Sequence, residues 1–497
     1  MVQKKVAVIG GGLGGLSAAA RLAVMGFEVD LFEKNETVGG KANQIERDGF
    51  RFDTGPSLIT MPFVIQDLFK FTGERIENYL SLKKLDVLCK YFYPDSTVIN
   101  AYSDTKKFAQ EISENSTDDE TKVENYLKYC ERIYDLSAEL FLFNSFTDPK
   151  TFLKLKALKT LFSLKGLDTG RTMHEANSSF FNDPKVIQLF DRYATYNGSN
   201  PFQAPATLNI IQHVEYNLGG YIAEDGIFAI PKAIEKLALQ KGVKIHTDSK
   251  VKRILTEDNS VKAIDVNGKI INYNLVIANS DVQNTYNYLL NDNKTKSAKK
   301  YNKLEKSSSA IVFYWGVKGL HEQLEIHNIL FSKDYKNEFD QLFEEKIVPD
   351  DPTIYIYISS KYKKSDAPDG CENWFVMINA PYSNGEIDVK ILEGLRDRII
   401  NKIDKVLQIK LRNKIISESL LTPAMIEKQT SSLGGSIYGI SSNNKMAAFL
   451  RQQNKSKEYE GLYFCGGSAH PGGGIPLVLL SGKLAAEKVA EDFGKLN

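Results

Sequence analysis

The sequence predicts a mixed α/β (α+β) fold, in which a Rossmann-type unit comes first and a second lobe combines sheet and helices. Three observations indicate this. The chain has 497 residues, which exceeds the size that a single hydrophobic core usually supports. It begins with a short β-branched run, a glycine-rich turn and an alanine-rich helix. Later apolar, aromatic runs are typical of strands.

Composition excludes several classes of protein. Hydrophobic residues make up 42% and charged residues 25% of the chain, as in ordinary globular proteins. Lys+Arg (63) and Asp+Glu (62) balance, so no overall field attracts nucleic acid. The four cysteines, Cys89, Cys130, Cys371 and Cys465, are far apart and predict neither a metal site nor disulfides. No run reaches the ~20 apolar residues of a membrane-spanning helix. We therefore expect a cytoplasmic protein.

The amino-terminal unit predicts a dinucleotide site. A buried strand, KVAVI at residues 5–9, precedes the G-x-G-x-x-G glycines Gly10, Gly12 and Gly15. A helix over residues 16–25 and a strand over 27–32 follow, and Glu33 ends the strand. Gly10 permits the tight turn, Gly12 allows the backbone to approach a pyrophosphate, and Gly15 allows the helix to pack closely on the strand. Glu33 is expected to accept hydrogen bonds from a ribose.

The next segments indicate which dinucleotide binds. Residues 36–41 (ETVGGK) and 49–56 (GFRFDTGP) continue the unit directly. This pattern resembles the flavoprotein superfamily of amine oxidases, protoporphyrinogen oxidases and phytoene desaturases. The resemblance implies FAD as the cofactor, because the extra Gly-Gly pair extends the FAD-binding fold.

The carboxy-terminal segment 461–481 (GLYFCGGSAHPGGGIPLVLLS) resembles the bacterial-type phytoene dehydrogenase signature almost position for position. Gly473 departs from it, since a Ser, Thr, Ala or Val is usual there. A helix is expected to begin near Ile475 or Pro476 and to place its amino terminus at the flavin. His470 is the candidate catalytic residue, as a proton acceptor, with a structural role in the turn as the alternative.

Central segments extend the resemblance to the whole chain. Residues 196–206 (YNGSNPFQAPA) are expected to face substrate, and 219–233 leads into a helix; Asp225 and Ser442 depart from the family pattern. Arg192, Tyr193 and Tyr196 are candidate tunnel or flavin-facing groups. The resemblance implies that the Val251 backbone contacts adenine. The residues predicted to contact FAD are Gly10, Gly12, Leu13, Gly14, Gly15, Glu33, Lys34, Gly39, Gly40, Lys41, Gly55, Pro56, Val251, Ala278, Asn279, Gly466, Gly467, Gly473, Gly474, Ile475 and Pro476.

The predicted FAD-binding domain is discontinuous and takes in residues 1–85, 220–290 and 415–497. Residues 86–219 are expected to form a largely helical region that faces substrate and membrane. Residues 291–414 are expected to form a substrate-binding sheet, with strands near 310–317, 328–331 and 353–359 that wall an apolar tunnel.

A basic, apolar segment at residues 150–165 (KTFLKLKALKTLFSLK) carries five lysines and no acid. This composition is typical of a segment that lies on a membrane surface. Its lysines do not all fall on one helical face, so a partly exposed packing helix is the alternative.

The resemblance is strongest to the hydroxycarotenoid 3,4-desaturase branch of the carotenoid desaturases. It implies a new conjugated C=C bond in a 1-hydroxycarotenoid, formed by hydride transfer to flavin N5 with proton loss. Oxygen or a quinone would reoxidise the flavin, and the protein would sit peripherally on the inner face of the cell membrane. Alternatives are a phytoene or dehydrosqualene desaturase, an amine or porphyrinogen oxidase, and a flavin-free prenyl-binding escort protein.

Overall fold

A five-stranded parallel sheet forms the first layer of the computed structural model, which describes residues 4–144, 164–383, 385–444 and 450–493. Its strands, in spatial order, are Leu462–Phe464, Val276–Ala278, Lys5–Ile9, Glu28–Phe32 and Lys244–His246. Every neighbouring pair is parallel. The expected α/β unit is confirmed, with the amino-terminal strand at the centre of its sheet.

Both faces of the inner part of this sheet are buried, which explains why the strands Lys5–Ile9 and Val276–Ala278 read as apolar runs. Val6 and Val8 pack under the helices Leu13–Val24, Ala229–Gln240 and Ile475–Phe493. Ala7 and Ile9 point the other way, into a core shared with an antiparallel sheet of strands Val251–Glu257, Ser260–Val266 and Lys269–Asn272. Alternate residues of one strand thus serve two cores.

A seven-stranded sheet forms the second lobe. Its order is Ile415–Leu421, Ser309–Lys318, Cys371–Ala380, Ile354–Tyr357, His327–Leu330, Val87–Phe92 and Val98–Tyr102. The pairing between His327–Leu330 and Val87–Phe92 is parallel, and the other pairings are antiparallel. One face, including Ile311, Phe313 and Trp315, packs on the helix Val389–Leu407. The opposite face is available for a site.

Helices close the remaining side of the second lobe. Glu120–Phe141, Met173–Phe180 and Pro184–Asp191 share a core of aromatic residues with two strands of the seven-stranded sheet, Val87–Phe92 and His327–Leu330. Two small antiparallel pairs complete the strands: the hairpin Gln44–Arg47/Phe50–Asp53 and the pair Leu82–Lys84/Tyr221–Ala223. The remaining longer helical elements are Pro62–Phe71, Thr105–Asn115, Lys296–Lys303, Tyr335–Asp340, Pro423–Thr430 and the mixed helical stretches 210–217 and 282–289. Within the described ranges, no helix has the length and apolarity to cross a membrane.

The predicted domain boundaries stay a prediction, but the second sheet draws on all three predicted regions. Val87–Phe92 and Val98–Tyr102 come from the region expected to be largely helical, and Ile415–Leu421 comes from the segment assigned to FAD binding. Their buried residues pair with neighbouring strands, which local composition alone does not reveal. The segment at 150–165 lies outside the described residues except for Leu164 and Lys165, which begin a short 3-10 helix, Leu164–Leu167.

Candidate active site

The glycine turn lies where the first strand ends and the first helix begins. Gly10 has φ +100°, and its backbone N–H donates to the Phe32 carbonyl over 2.8 Å. The helix begins at Leu13, three residues earlier than expected, because Gly14 and Gly15 already adopt helical geometry. Its amino terminus has no side-chain cap and no acidic residue in its first turn. This end of the helix therefore favours an anion such as a diphosphate.

Glu33 is fixed at the carboxyl end of the second strand. The Gly11 backbone N–H donates to Glu33 Oε2 over 2.7 Å, and the Asn35 backbone N–H donates to Oε1 over 2.9 Å. The carboxylate lines a cavity, although only 5% of the residue is exposed. Its remaining lone pairs can accept hydrogen bonds from a ribose, as the sequence predicts.

Close contacts tie the amino-terminal turns to the carboxy-terminal segment. The Gly39 backbone N–H donates to the Gly11 carbonyl over 2.9 Å. Asn279 Nδ2 donates to the Gly10 carbonyl over 3.0 Å, and a Cβ at Gly466 would lie 2.6 Å from Asn279 Oδ1. Residues from three distant parts of the sequence therefore form one rigid cradle.

Two cationic side chains, one half-buried and one buried, face this cradle. Lys41 Nζ donates to the Ser436 and Ile437 carbonyls over 3.1 and 2.6 Å, and burial lowers its pKa to about 8. Arg451 donates through Nη1 to the Tyr438 and Gly467 carbonyls, both over 3.0 Å, and burial lowers its pKa to about 10. Because burial disfavours both charged forms, a bound anion would stabilise them.

These features fit FAD. An uncapped helix end and two cationic side chains suit the diphosphate, and the fixed carboxylate suits the ribose. Arg451 was not singled out from the sequence, because it stands in no motif; only its contacts with the carboxy-terminal turn reveal it. FAD would be held mainly by backbone groups and these few side chains.

The carboxy-terminal segment consists of the strand Leu462–Phe464, a glycine-rich turn and a helix that begins at Ile475, as expected. The departure at Gly473 has a local explanation. A Cβ there would lie 2.5 Å from Cδ1 of Tyr438, so the usual larger residue cannot fit beside this ring. The substitution is therefore coupled to Tyr438 rather than to the cofactor.

His470 is buried in this turn, with 2% of the residue exposed. Its Nε2 lies 3.1 Å from the Asn144 carbonyl oxygen, to which it must donate. Burial lowers its pKa to about 4, so the imidazole is neutral near pH 7 and bears its lone pair on the other ring nitrogen. These contacts suit a structural role and the neutral form suits a proton acceptor, so the catalytic role stays a prediction.

A single cavity of about 2030 Å³ connects these groups. The predicted residues that line it are Gly10, Gly12, Leu13, Gly14, Glu33, Lys34, Gly39, Gly40, Lys41, Gly55, Pro56, Val251, Asn279, Gly466, Gly467, His470, Gly473, Gly474, Ile475 and Pro476. Gly15 and Ala278 do not line it. A Cβ at Gly15 would lie 2.2 Å from the Gly10 carbonyl oxygen, so this glycine serves packing, and Ala278 faces the core beneath the sheet.

The same cavity continues along the free face of the seven-stranded sheet. Alternate residues of neighbouring strands point into it: Ala310, Val312, Tyr314, Ile329, Tyr355, Phe375 and Met377. Leu208, Ile211 and Val214 line it as well, from the helical region. This part of the cavity is an apolar chamber with one wall formed by the sheet, and it opens directly onto the cradle.

A buried polar cluster interrupts the apolar wall. Arg192 Nη2 lies 3.8 Å from Glu215 Oε1 and donates to the Tyr91 hydroxyl over 2.7 Å. The Tyr193 and Tyr196 hydroxyls donate to the two Glu215 oxygens over 2.7 and 2.6 Å. The sequence indicated Arg192, Tyr193 and Tyr196. Glu215 was not predicted from the sequence, because nothing in the pattern around a single acidic residue in a helix indicates that it is buried.

The fold and the cradle define an FAD-dependent oxidoreductase. Residues 13–490 match the family model of flavin containing amine oxidoreductases, and the chain belongs to this family. It is 41% identical to the 1-hydroxycarotenoid 3,4-desaturase of Flavobacterium sp. (strain P99-3), covering 98% of this chain and 99% of the relative. This relative belongs, by its name, to the carotenoid desaturase group that the sequence motifs resemble.

Two further comparisons agree with this assignment. The chain is 36% identical to the 4,4'-diaponeurosporene oxygenase of Staphylococcus aureus (strain MSSA476), covering 98% of each chain. The crystal structure of an oxidoreductase from Methanosarcina mazei superposes with a TM-score of 0.63 at 17% identity, covering 98% of this chain and 100% of that one. The structural similarity concerns the fold alone.

Proposed function

We propose that this protein is a carotenoid desaturase that introduces a conjugated C=C bond into a 1-hydroxycarotenoid. The single observation that carries the proposal is the continuous cavity, which joins the FAD cradle to an apolar chamber. Its volume of about 2030 Å³ exceeds the roughly 300–1,000 Å³ of ordinary ligand pockets. A long apolar chain beside the flavin suits this space, and the relative in Flavobacterium supplies the substrate class.

The chain's own residues would act mainly by placement. The sheet face that carries Val312, Phe375 and Met377 would hold the polyene flat and exclude water from the reacting carbons. FAD, when bound, supplies the acceptor for the hydride, at its N5 position. His470 is the proposed acceptor of the proton, because its imidazole is buried, neutral and at the cavity wall.

Membrane association is part of the proposal. Phe141 and Leu142 precede the undescribed residues 145–163, Leu167 and Thr169 follow them, and all four line the cavity. The basic segment 150–165 is therefore joined at both ends to cavity-lining residues. We propose that it binds the inner face of the cell membrane, from which a carotenoid would enter.

Expression in bacteria that accumulate defined carotenoids tests the proposed substrate. We expect cells that make 1-hydroxylated acyclic carotenoids to gain pigments with absorption at longer wavelength, because conjugation lengthens. Cells that make phytoene should change only if the phytoene desaturase alternative is correct. Unchanged pigments in every strain, with an FAD-loaded protein present, would rule out carotenoid desaturation. Oxygen and quinones, added separately to reduced protein, would identify the electron acceptor.

A further inference from the structure

A histidine with an unused ring nitrogen faces the apolar part of the cavity. His327 begins the strand His327–Leu330, lines the cavity and is 3% exposed. Its Nε2 is buried and has no hydrogen-bond partner within the part of the chain that the structure describes. A buried polar atom left unpaired is costly, so this atom indicates a missing partner.

Hydrogen bonds fix the ring of His327. Its Nδ1 lies 2.7 Å from the Tyr355 hydroxyl, which in turn lies 2.5 Å from the Ser57 hydroxyl. Tyr357 stacks on the same ring, with centroids 5.2 Å apart and planes 11° apart. Nε2 is thereby held in one direction, as a positioned hydrogen-bonding group must be.

The imidazole is also uncharged. Burial, together with the nearby charge of Arg192, lowers the pKa of His327 to about 3. In the neutral ring Nε2 carries either a hydrogen or a lone pair, according to the role that Nδ1 takes toward Tyr355. A hydroxyl group is a suitable partner in both cases, because it donates and accepts.

The surrounding charges are already compensated. Arg192 pairs with Glu215, and its Cζ lies 4.4 Å from the ring centroid of Tyr193 and 5.3 Å from that of Tyr196. Both Glu215 oxygens accept hydrogen bonds from these tyrosines. A ligand bound beside His327 therefore needs neither a carboxylate nor an ammonium group to balance the charge of this cluster. Arg192 Nε is a second buried atom without a partner, again among the described residues.

We propose that His327 Nε2 binds the hydroxyl group of a hydroxylated carotenoid and thereby selects this substrate over the matching hydrocarbon. The inference rests on the proposed function and adds a specificity residue to it. An apolar wall cannot by itself strongly distinguish the two compounds, whereas a positioned buried hydrogen-bonding group can.

The position of the subsite suits this substrate. The hydrogen-bonded path from His327 ends at Ser57, directly after Gly55 and Pro56, the expected flavin contacts. In a 1-hydroxycarotenoid desaturated between carbons 3 and 4, the hydroxyl-bearing carbon lies two bonds from the nearer reacting carbon. A hydroxyl subsite must therefore lie near the flavin.

A comparison of two substrates, each reacted separately, tests the proposal. Holoprotein would be mixed without oxygen with a 1-hydroxylated acyclic carotenoid or its hydrocarbon counterpart, in identical phosphatidylcholine vesicles, and flavin reduction followed. We expect the second-order rate constant of flavin reduction in wild type to be roughly 10-fold or more higher with the hydroxylated compound, the effect of one good buried hydrogen bond. His327→Leu should abolish the preference by slowing only the hydroxylated compound, and His327→Asn should restore part of it.

Matched variants separate specificity from stability. Ile329→Val changes an apolar residue of the same strand that also lines the cavity, and it should affect both substrates equally. If His327→Leu does not fold, Tyr355→Phe keeps the ring but removes the hydroxyl that orients His327, and should also reduce the preference. A preference that persists in folded His327→Leu, that is undiminished in Tyr355→Phe, or that is absent from wild type overturns the subsite. Flavin reduction by neither carotenoid instead overturns the proposed function, and the subsite with it.

Discussion

At the scale of single residues, two glycines of one motif, Gly12 and Gly15, have different functions. A Cβ at Gly12 would approach only Asn279 Nδ2, at 3.0 Å, whereas a Cβ at Gly15 would lie 2.2 Å from a backbone oxygen. Gly12 lines the cavity and Gly15 does not. A side chain at Gly12 would therefore displace the cofactor, while one at Gly15 would disturb the fold.

Gly12→Val should lower FAD affinity by roughly 10- to 100-fold, the value of one or two charge-assisted hydrogen bonds. Glu33→Ala should lower it less, because only ribose contacts are lost. Flavin content after gel filtration and titration of apoprotein with FAD measure both. Gly73→Ala, where a Cβ would meet nothing within 4 Å but φ is +77°, is a control for strain without loss of cofactor contacts. Wild-type FAD affinity in both site variants would refute the cradle.

His470→Ala should lower kcat by roughly 100-fold, as loss of a proton acceptor does, while FAD remains bound. The pKa of about 4 sets the pH dependence. A base must be unprotonated, so the wild-type rate should be constant above about pH 5 and fall as the pH drops through 4. No inflection is expected near the ordinary histidine value of about 6.5. Stopped-flow rates with a substrate-loaded holoprotein measure this, and an unchanged rate in the variant would leave only the structural role.

At the scale of elements, the carboxy-terminal helix holds the first helix in place. A Cβ at Gly482 would lie 2.3 Å from the Gly14 carbonyl oxygen, so Ile475–Phe493 and Leu13–Val24 touch through backbone atoms. The glycine turns that form the cradle are attached to these two helices. Their close packing sets the position of the cofactor-binding turns.

Gly482→Val should destabilise the protein by about 1–3 kcal/mol or more, because a well-packed interface must separate. Gly394→Ala is the matched control: this helical glycine lies in Val389–Leu407, where a Cβ would meet only Arg398 Nη1 at 3.8 Å. It should stabilise by about 0.5–1 kcal/mol through helix propensity. Thermal unfolding of both variants compares them. Equal melting temperatures would contradict the packing argument.

Local patterns predicted the strands Lys5–Ile9 and Glu28–Phe32 well, since these strands flank the glycine-rich turn and the alanine-rich helix in sequence. They also predicted most cavity-lining residues of the cradle, because these stand in motifs. Arg451, Glu215 and His327 could not be found in this way. Each is an ordinary side chain in sequence, and only strand pairing and burial bring it to the cavity. Ala278 packs in the core beneath the sheet and does not line the cavity, and its predicted contact with FAD stays a prediction.

At the scale of the whole molecule, a buried cavity for a carotenoid needs a route to the bilayer. The basic segment 150–165 is the proposed contact, since Phe141 and Leu142 before it and Leu167 and Thr169 after it line the cavity. The net charge of +1 supplies no general attraction to anionic lipid. Any such binding must therefore come from a local group of lysines.

Charge reversal of Lys154, Lys156 and Lys159 to Glu should weaken binding to anionic vesicles by at least roughly 10-fold, at about 1 kcal/mol per lysine near the surface. Reversal of the exposed Lys294, Lys296 and Lys299 changes net charge equally and should leave binding unchanged. Vesicle co-sedimentation compares the two triple variants. If both bind like wild type, the segment is a packing helix instead.

Flavin reduction in the absence of oxygen tests the central claim most directly. FAD-loaded protein would be mixed with vesicles that carry a 1-hydroxylated acyclic carotenoid, and the spectra of flavin and pigment recorded together. We predict that the band of oxidised flavin disappears while the carotenoid absorbs at longer wavelength, with one flavin reduced for each double bond formed. A flavin that stays oxidised with the carotenoid, but is reduced by a primary amine or a porphyrinogen, would contradict the assignment as a carotenoid desaturase.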